Sequence, residues 1–339
     1  MGCPIKDYRS LRAAAARSSM TTRWPLTVCH PLAATSRLAA VRTFRYVVVD
    51  VFTDTPLQGN QLAVFTDARD LDSGTMQAIA LEIGFSETVF VLPPSGSGRL
   101  AMRPQQGGET AEQGGHVQLR IFTPRTELPF AGHPCLGTAF VLGAPLQLGT
   151  IVLETRQGLV PVELERDESG RIVFGWMTQP VPTVAPFERV EELLAALGIE
   201  GSALPVEVYD NGLQHVYVRL ESEEAVAAVA PDVRALVGCG LLGVNVFAGS
   251  GTRWKTRMFS TLDGVGEDAA TGSAAGPLAC HLSRHGVVSW GEQIEVSQGA
   301  EIGRHSTLYA RATGADGAIE TVEVGGSAVT VARGEFRIP

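Results

Sequence analysis

Two short turns built from small residues constrain the fold more than any other feature of the chain. The first runs from Leu128 to Gly137 (LPFAGHPCLG) and the second from Glu267 to Gly276 (EDAATGSAAG). Each turn follows a strand-rich stretch and leads into an apolar helix, the first to about Leu142 and the second to about His285. This weak internal repeat predicts an α+β fold of two similar strand-rich domains, each wrapped around a central helix, with a cleft between them.

The order of the predicted elements divides the chain into three parts. Residues 1–42 are rich in Arg and Ser and lack clear periodicity, which indicates a disordered tail or a start site assigned too far upstream rather than an organellar transit peptide. Residues 43–160 form the predicted N-terminal domain. Residues 161–339 form the predicted C-terminal domain. Its last strand could return to the first domain. Residues 93–116 predict a long loop.

The first domain contains the clearest local signals. The β-branched run Tyr46–Phe52 predicts a buried strand, and the turn Pro56–Asn60 leads to a partner strand over Leu62–Phe65. Asp72 is the expected N-cap of a helix that Gly84 ends.

Charge and cysteine content argue against several classes of protein. The net charge is −9, and residues 1–40 contribute +5 (six Lys/Arg and one Asp), so the remainder carries −14 (−9 minus +5). Such an acidic body repels phosphate backbones and anionic lipids, so we expect no nucleic-acid or membrane partner. The five cysteines are scattered without a Cys-x-x-Cys pair. We therefore expect a reducing compartment, the cytoplasm, and no disulfide scaffold or metal site.

The two small-residue turns are also candidate anion sites. Free N–H groups at a helix N-terminus, with the helix dipole behind them, attract carboxylates. Gly132-His133 and Gly272-Ser273 would form a pair of such sites. The alternative for either turn alone is close helix packing, and the repetition of the turn beside a titratable residue favours the functional interpretation.

Two carboxylates are candidates for acid/base chemistry. Glu87 stands between a helix end and an apolar strand, where partial burial raises the pKa of a carboxyl group towards neutrality. The alternative interpretation is that Glu87 is a solvated residue at the start of a strand. Asp268 lies near the start of the second turn, and the alternative is that it is the N-cap of the following helix.

The remaining candidates are weaker. His281 and His285 have helical spacing but lack the Glu of the metalloprotease motif, so we expect them to cap a helix C-terminus rather than bind a metal. The basic run Arg253–Arg257 predicts a strand with one solvated face. The chain contains no dinucleotide-binding, Walker or nucleophile-elbow motif, and we expect no cofactor.

Several segments from Arg45 almost to the end of the chain carry a resemblance. They are VDVFTDTPLQGNQLAVF at 49–65, Ser86-Glu87-Thr88, LRIFTPRTELPFAGHPCLGTA at 119–139, Asn211-Gly212 with His215, NVFAGSGTRWKTRMFS at 245–260, GEDAATGSAAGPLACHLSRHG at 266–286 and SQGAEIGRHS at 297–306. Together they resemble the phenazine-biosynthesis protein family of the diaminopimelate-epimerase-like fold.

The resemblance implies a cofactor-independent isomerase, acting as a homodimer on the carboxylate trans-2,3-dihydro-3-hydroxyanthranilate. Glu87 would be the general acid/base, taking a proton from the amine-bearing ring carbon and returning it to a distal carbon to give an aminoketone precursor. His133 and Asp268 would be further catalytic residues that hold the polar groups of the substrate. The implied substrate-binding residues are Asn60, Gly132, Gly272 and Ser273.

Two alternatives stay open at this point. The first is an isomerase or epimerase of another small amino or hydroxy acid. A two-thiol epimerase is disfavoured, because Cys135 and Cys280 fall inside the two helices rather than at their turns. The second is a non-catalytic binding protein. Convergence of the candidate side chains on one pocket would favour an enzyme, whereas dispersal over separate surfaces would argue against one.

Overall fold

Strands are the main secondary structure of the computed structural model, which describes residues 41–95, 114–240, 243–261, 266–315 and 317–338. The predicted tail, apart from its last two residues, and most of the predicted loop at 93–116 lie outside these residues. The helices are α1 Ser73–Ile83, α2 Gly132–Leu146, α3 Val190–Leu197, α4 Glu223–Ala228, α5 Val233–Gly238 and α6 Gly272–Arg284. Among the described residues, no helix is both long and apolar enough to cross a membrane.

The described strands join in one hydrogen-bonded sheet. They are β1 Arg42–Val51, β2 Asn60–Phe65, β3 Glu87–Leu92, β4 Val117–Phe122, β5 Glu127–Leu128, β6 Thr150–Thr155, β7 Gly158–Arg166, β8 Ile172–Thr178, β9 Thr183–Pro186, β10 Glu207–Asp210, β11 Gln214–Arg219, β12 Gly243–Ser250, β13 Arg253–Ser260, β14 Gly266–Asp268, β15 Ile294–Gln298, β16 Ser306–Ala315, β17 Ala318–Gly326 and β18 Ala328–Ile338.

The strand pairings repeat. From β1 to β8, β1–β2 is antiparallel, β2–β3 parallel, β3–β4 antiparallel, β4–β6 parallel, and β6–β7 and β7–β8 antiparallel. The series from β10 to β17 has the same succession, and β5 and β14 pair with the corresponding strands β4 and β13. The internal repeat inferred from two turns thus extends over eight strands in each half.

The halves are linked by exchanged strands. β8 of the first half pairs with β17 of the second. The last strand of the first half is β9, and it pairs with β10. The last strand of the second half is β18, and it pairs with β1. Residues Val41–Ile338 pack as one compact unit. The predicted boundary at residue 160 falls inside β7 and stays a prediction.

The helices occupy two kinds of position. α2 and α6 lie in the largest apolar core, where each is surrounded by the strands of its half. α1 covers a smaller cluster on β1–β4, whereas α3, α4 and α5 cover another on β11–β13. The central helices are therefore enclosed almost all round, and their N-terminal ends are held by packing rather than by side-chain caps.

Local signals in the first half are confirmed. β1 pairs with β2 through the predicted turn, Asp72 accepts a hydrogen bond from the Thr75 N–H at 2.9 Å as the N-cap of α1, and Gly84 ends that helix at φ 70°. The turn before β2 is fastened by an ion pair between Arg304 and Asp50 at 2.8 Å. This pair and the carbonyl of Gly59, which accepts from Arg304 Nε at 2.9 Å, fix where Asn60 begins β2.

Candidate active site

The N-termini of α2 and α6 meet through two glycines. A Cβ atom on Gly132 would lie 2.5 Å from the backbone nitrogen of Ser273, and one on Gly272 would lie 2.8 Å from Cζ of Phe52. Neighbouring atoms would have to move to admit either Cβ, so the close approach of the helices explains the glycine at 132, and the Phe52 ring explains the glycine at 272. Two sets of N-terminal N–H groups and two positive dipole ends are thereby brought together, an arrangement suited to a carboxylate.

A cavity that is partly open to solvent lies beside these helix ends. It is lined by Ser86, Glu87, Leu128, Ala131, Gly132, His133, Leu213, Gln214, His215, Gly243, Met258, Ser260, Asp268, Thr271, Gly272 and Ser273. Six of the seven predicted site residues are among them. The convergence that favours an enzyme over a binding protein is therefore observed, and the individual roles stay predictions.

Glu87 and His133 form the acid/base side of the cavity. Glu87 begins β3, its side chain is 15% exposed, and its Oε2 lies 3.4 Å from Nε2 of His133. Burial lowers the pKa of His133 to about 3, outweighing a hydrogen bond with the backbone of Gln61 that acts in the opposite direction. At neutral pH the imidazole is uncharged, so the Glu87 side chain faces a neutral ring rather than an imidazolium ion.

Asn60 is the one predicted binding residue that does not line the cavity. Its Nδ2 lies 3.2 Å from Nδ1 of His133 and donates to Oδ1 of Asp268 at 2.8 Å, whereas its Oδ1 accepts from Ser86 at 3.1 Å. Asn60 therefore lies behind the cavity wall and holds residues from both halves in place. This position supports orientation of His133 and Asp268, and direct substrate contact by Asn60 stays a prediction.

Asp268 ends β14 on the opposite side of the cavity. Its Oδ2 accepts from the Thr271 hydroxyl at 2.6 Å, and its Oδ1 accepts the bond from Asn60. The N-cap of α6 is Thr271, so the alternative assignment of Asp268 as the helix cap is wrong. Its carboxylate is buried and held by side-chain donors, which fixes its direction towards the cavity.

Ser273 is held by the hairpin of β10 and β11. The proline at position 277 lacks the N–H that would bond to the Ser273 carbonyl one turn earlier, and the amide of Asn211 donates to that carbonyl instead, at 2.9 Å. Nε2 of His215 lies 3.1 Å from the Ser273 hydroxyl oxygen. Sequence reasoning assigned no role to Asn211 or His215, although the missing N–H of Pro277 was a signal that a side-chain donor was needed.

Comparison with known proteins identifies the family of the chain. The family model of phenazine biosynthesis-like proteins matches residues 49–334. The chain belongs to this family. The trans-2,3-dihydro-3-hydroxyanthranilate isomerase of Pseudomonas aeruginosa is 52% identical over 290 residues, which cover 86% of this chain and 98% of that protein.

Solved structures confirm the predicted α+β fold. The crystal structure of the Bacillus anthracis phenazine biosynthesis protein has a TM-score of 0.72 at 24% identity, covering 88% of this chain and 99% of that one. A hydroxyproline epimerase from Agrobacterium vitis has a TM-score of 0.59 at 12% identity, covering 88% and 93%. Likeness at these identities shows the fold alone.

The cysteines of the two central helices are unsuited to proton transfer in this family member. Cys135 and Cys280 are fully buried and neither lines the cavity. Burial raises the pKa of each thiol to about 12, so neither is a thiolate at neutral pH. The structure therefore gives no support to a two-thiol mechanism.

One group of side chains has the composition of a metal site. Glu207, His281 and His285 bring three ligand atoms within 4.8 Å of one another at the far end of α6. Glu207 Oε2 also accepts from Arg284 Nη1 at 3.1 Å and from the Tyr209 hydroxyl at 3.1 Å. A permanent cation already occupies this oxygen, so we interpret the group as an ionic cluster. The expectation that the histidines lie at a helix C-terminus is confirmed, because His281 is in the last turn of α6 and His285 is its C-cap; in addition, both rings contact Glu207.

Proposed function

We propose that the chain is a trans-2,3-dihydro-3-hydroxyanthranilate isomerase in which Glu87 carries the proton. The observation that carries the proposal is the single cavity in which Glu87, His133, Asp268 and Ser273 meet beside two helix N-termini. High identity to the Pseudomonas aeruginosa isomerase over nearly its whole length supports the same substrate.

The reaction requires one proton to leave one ring carbon and another ring carbon to receive one. In this substrate the amine and the hydroxyl stand on adjacent saturated carbons, and a diene connects the hydroxyl-bearing carbon to the carboxylate-bearing carbon. Glu87 takes the proton of the hydroxyl-bearing carbon, the two double bonds each move one position, and the carboxylate-bearing carbon receives the proton from Glu87. The resulting enol becomes a ketone when its hydroxyl proton moves to the neighbouring carbon, with no change in oxidation state.

The origin of the proton differs from the one that the resemblance implies. An enol can form only on the carbon that bears the hydroxyl, so the departing proton belongs there and not on the amine-bearing carbon that we expected from the sequence. A positioned carboxylate contributes a rate factor of roughly 10²–10⁴ in such proton transfers.

The helix N-termini support the step electrostatically. Negative charge that develops on the ring spreads through the diene into the substrate carboxylate. Backbone N–H groups at Gly132 and Gly272 and the Ser273 hydroxyl would bind that carboxylate and stabilise the charge as it develops. His133 and Asp268 would hold the hydroxyl and amine groups, which fixes the face of the ring presented to Glu87.

Three finer features belong to the same proposal. We infer an enzyme that needs no cofactor, forms a homodimer and works in the cytoplasm. We expect the EDTA-treated protein to be active without additions. We expect it to sediment at the mass of two chains and to be recovered in the soluble cytoplasmic fraction. A cofactor requirement, a monomer or an exported protein would contradict the respective inference.

The direct test mixes purified protein with trans-2,3-dihydro-3-hydroxyanthranilate and follows both by NMR, beside parallel incubations with proline and trans-4-hydroxyproline. Conversion of the first compound alone is expected. Epimerisation of either imino acid, with the first compound left unchanged, would favour the alternative of another small-acid epimerase. No turnover of any of them, with saturable binding, would favour a binding protein.

A further inference from the structure

His215 stands between the cavity and the helix end that carries Ser273. It is the second residue of β11, it is buried, and its ring lines the cavity. Its Nε2 lies 3.1 Å from Oγ of Ser273. Because the backbone carbonyl of Ser273 is held by Asn211 at the same time, one hairpin fixes both the main chain and the side chain of this serine.

The far side of the His215 ring determines which nitrogen carries the proton. A Cβ atom on Gly243 would lie 2.6 Å from Nδ1, so this nitrogen packs directly against glycine backbone. Within the part of the chain that the structure describes, Nδ1 has no hydrogen-bond partner. Burial lowers the pKa of His215 to about 4, against the opposite effect of Asp210, so the ring is neutral at pH 7 and carries one N–H.

A buried N–H without an acceptor is costly, and Nε2 has an acceptor where Nδ1 has none. The proton therefore resides on Nε2 and is donated to Oγ of Ser273. A serine oxygen that accepts this bond directs its own hydrogen elsewhere, and the cavity lies on its open side. Ser273 is in this way kept as a donor, which is the state that a carboxylate can use.

The first half contains a matching arrangement. Asn60, at the start of β2, contacts the second residue of α2, His133. His215, near the start of the corresponding strand β11, contacts the second residue of α6, Ser273. In each half a buried polar side chain from the corresponding strand contacts the side chain that follows the helix-opening glycine, although His215 aligns in register with Leu62, two residues after Asn60.

We propose that His215 is a positioning residue that turns the hydroxyl hydrogen of Ser273 towards the substrate carboxylate. The proposal rests on the proposed function, because it needs a carboxylate in this cavity. It assigns to His215 an effect on carboxylate binding that acts through Ser273 and not through direct contact with the ligand.

The test measures binding, so that it does not depend on turnover. Anthranilate, a fluorescent carboxylate that cannot react, is the probe, and 2-aminobenzamide is its uncharged counterpart. The proteins are the wild type, His215→Leu, His215→Gln, Ser273→Ala and the His215→Leu/Ser273→Ala double variant. Gln is chosen because its Nε2 can donate from nearly the place of the imidazole Nε2.

We expect the Kd for anthranilate to rise roughly tenfold in His215→Leu and in Ser273→Ala, as for loss of one hydrogen bond to a charged group. The double variant should bind no more weakly than either single variant, and His215→Gln should bind within about threefold of the wild type. Affinity for 2-aminobenzamide should change less than that for anthranilate in His215→Leu.

Three results would overturn the proposal: unchanged binding in His215→Leu, independent effects that multiply in the double variant, or no binding of anthranilate by the wild type. If His215→Leu does not fold, His215→Asn replaces it, since Asn is too short to reach Ser273, and equal affinity of the Asn and Gln variants would then contradict the proposal. A wild type that binds anthranilate but does not isomerise the substrate contradicts the proposed function alone.

Discussion

The two halves of the molecule have the same strand order but present different side chains to the cavity. Glu87, the first residue of β3, has as its counterpart Gly243, the first described residue of β12, and both line the cavity. At the second position of the central helices, His133 in the first half corresponds to Ser273 in the second. The first half thus supplies the carboxyl group that we propose for proton transfer, and the second supplies a hydroxyl anchor together with the carboxylate of Asp268.

This asymmetry has a stereochemical consequence. Inversion at a carbon atom needs acid/base groups on both faces, whereas moving a proton along one face of a ring needs only one. A glycine at the position that corresponds to Glu87 leaves room for the His215 ring, and the second-half carboxylate that lines the cavity, Asp268, is held by Asn60 and Thr271. We expect the repeated fold to supply the cavity and the unequal side chains to select isomerisation over epimerisation.

The largest expected effect tests the acid/base side of this comparison. Glu87→Asp keeps the carboxyl group but withdraws it by about one carbon–carbon bond, and misplacement of this size costs roughly 10²-fold in kcat. Steady-state kinetics with the proposed substrate measures it. Glu82→Asp, an exposed carboxylate on α1, is the matched control. Wild-type kcat in Glu87→Asp would remove Glu87 from its proposed role.

The two helix-opening glycines should differ. A Cβ on Gly132 meets a backbone nitrogen, whereas one on Gly272 meets the edge of the Phe52 ring, which can shift more easily. We expect Gly132→Ala to lower the free energy of unfolding by about 2–3 kcal/mol and Gly272→Ala by less, as measured by urea denaturation. Gly238→Ala, at the end of α5 where nothing lies within 4 Å of the added Cβ, is the control. Equal stability of the Gly132 and Gly238 variants would show that the helix ends are not in tight contact.

Glu207, in the ionic cluster at the far end of α6, is expected to stabilise the fold, in contrast to the proposed catalytic role of Glu87. Burial would raise the pKa of Glu207, but bonds from His281 and His285 and the charge of Arg284 outweigh burial and lower it to about 2. Glu207→Gln should therefore reduce stability by roughly 2 kcal/mol at pH 7 and leave kcat unchanged.

The pH dependence of that effect follows from the direction of the shift. A carboxyl group whose pKa is lower in the folded state stabilises above its usual value of 4.5, and the contribution disappears as the pH falls from 4.5 to about 2. Thermal melts of the two proteins should converge as the pH falls through this range. A constant difference in Tm from pH 7 down to pH 2.5 would contradict this assignment of Glu207.

The smallest expected effect concerns His133. Because burial lowers the pKa of His133 to about 3, the ring does not change charge between pH 5 and pH 8. The plot of kcat/KM against pH should therefore show no inflection in this range that is lost in His133→Gln. An inflection near pH 6.5 that is absent from the variant would show that His133 titrates and that the Glu87 carboxylate faces a charged ring.

The sequence predicted those features that depend on neighbours in the chain. Asp72 and Gly84 bound α1 because capping is local, and six cavity residues were found because they lie at strand starts and helix-opening turns. The bond from His215 to Ser273 joins β11 to α6, and residue spacing does not encode that pairing. Arg257 was expected on a strand with one solvated face, but it is buried against Glu267 at 2.7 Å, because α4 carbonyls and β14 cover it.

Proton transfer by Glu87 is tested most directly by NMR of the proposed substrate in D₂O with the wild type and Glu87→Gln. The amide has nearly the size of the carboxyl group but cannot accept and return a proton. The account predicts a product with a new C–H or C–D bond at the carboxylate-bearing carbon from the wild type. It predicts unchanged substrate from the variant over the same time. Conversion by Glu87→Gln at the wild-type rate would contradict the account.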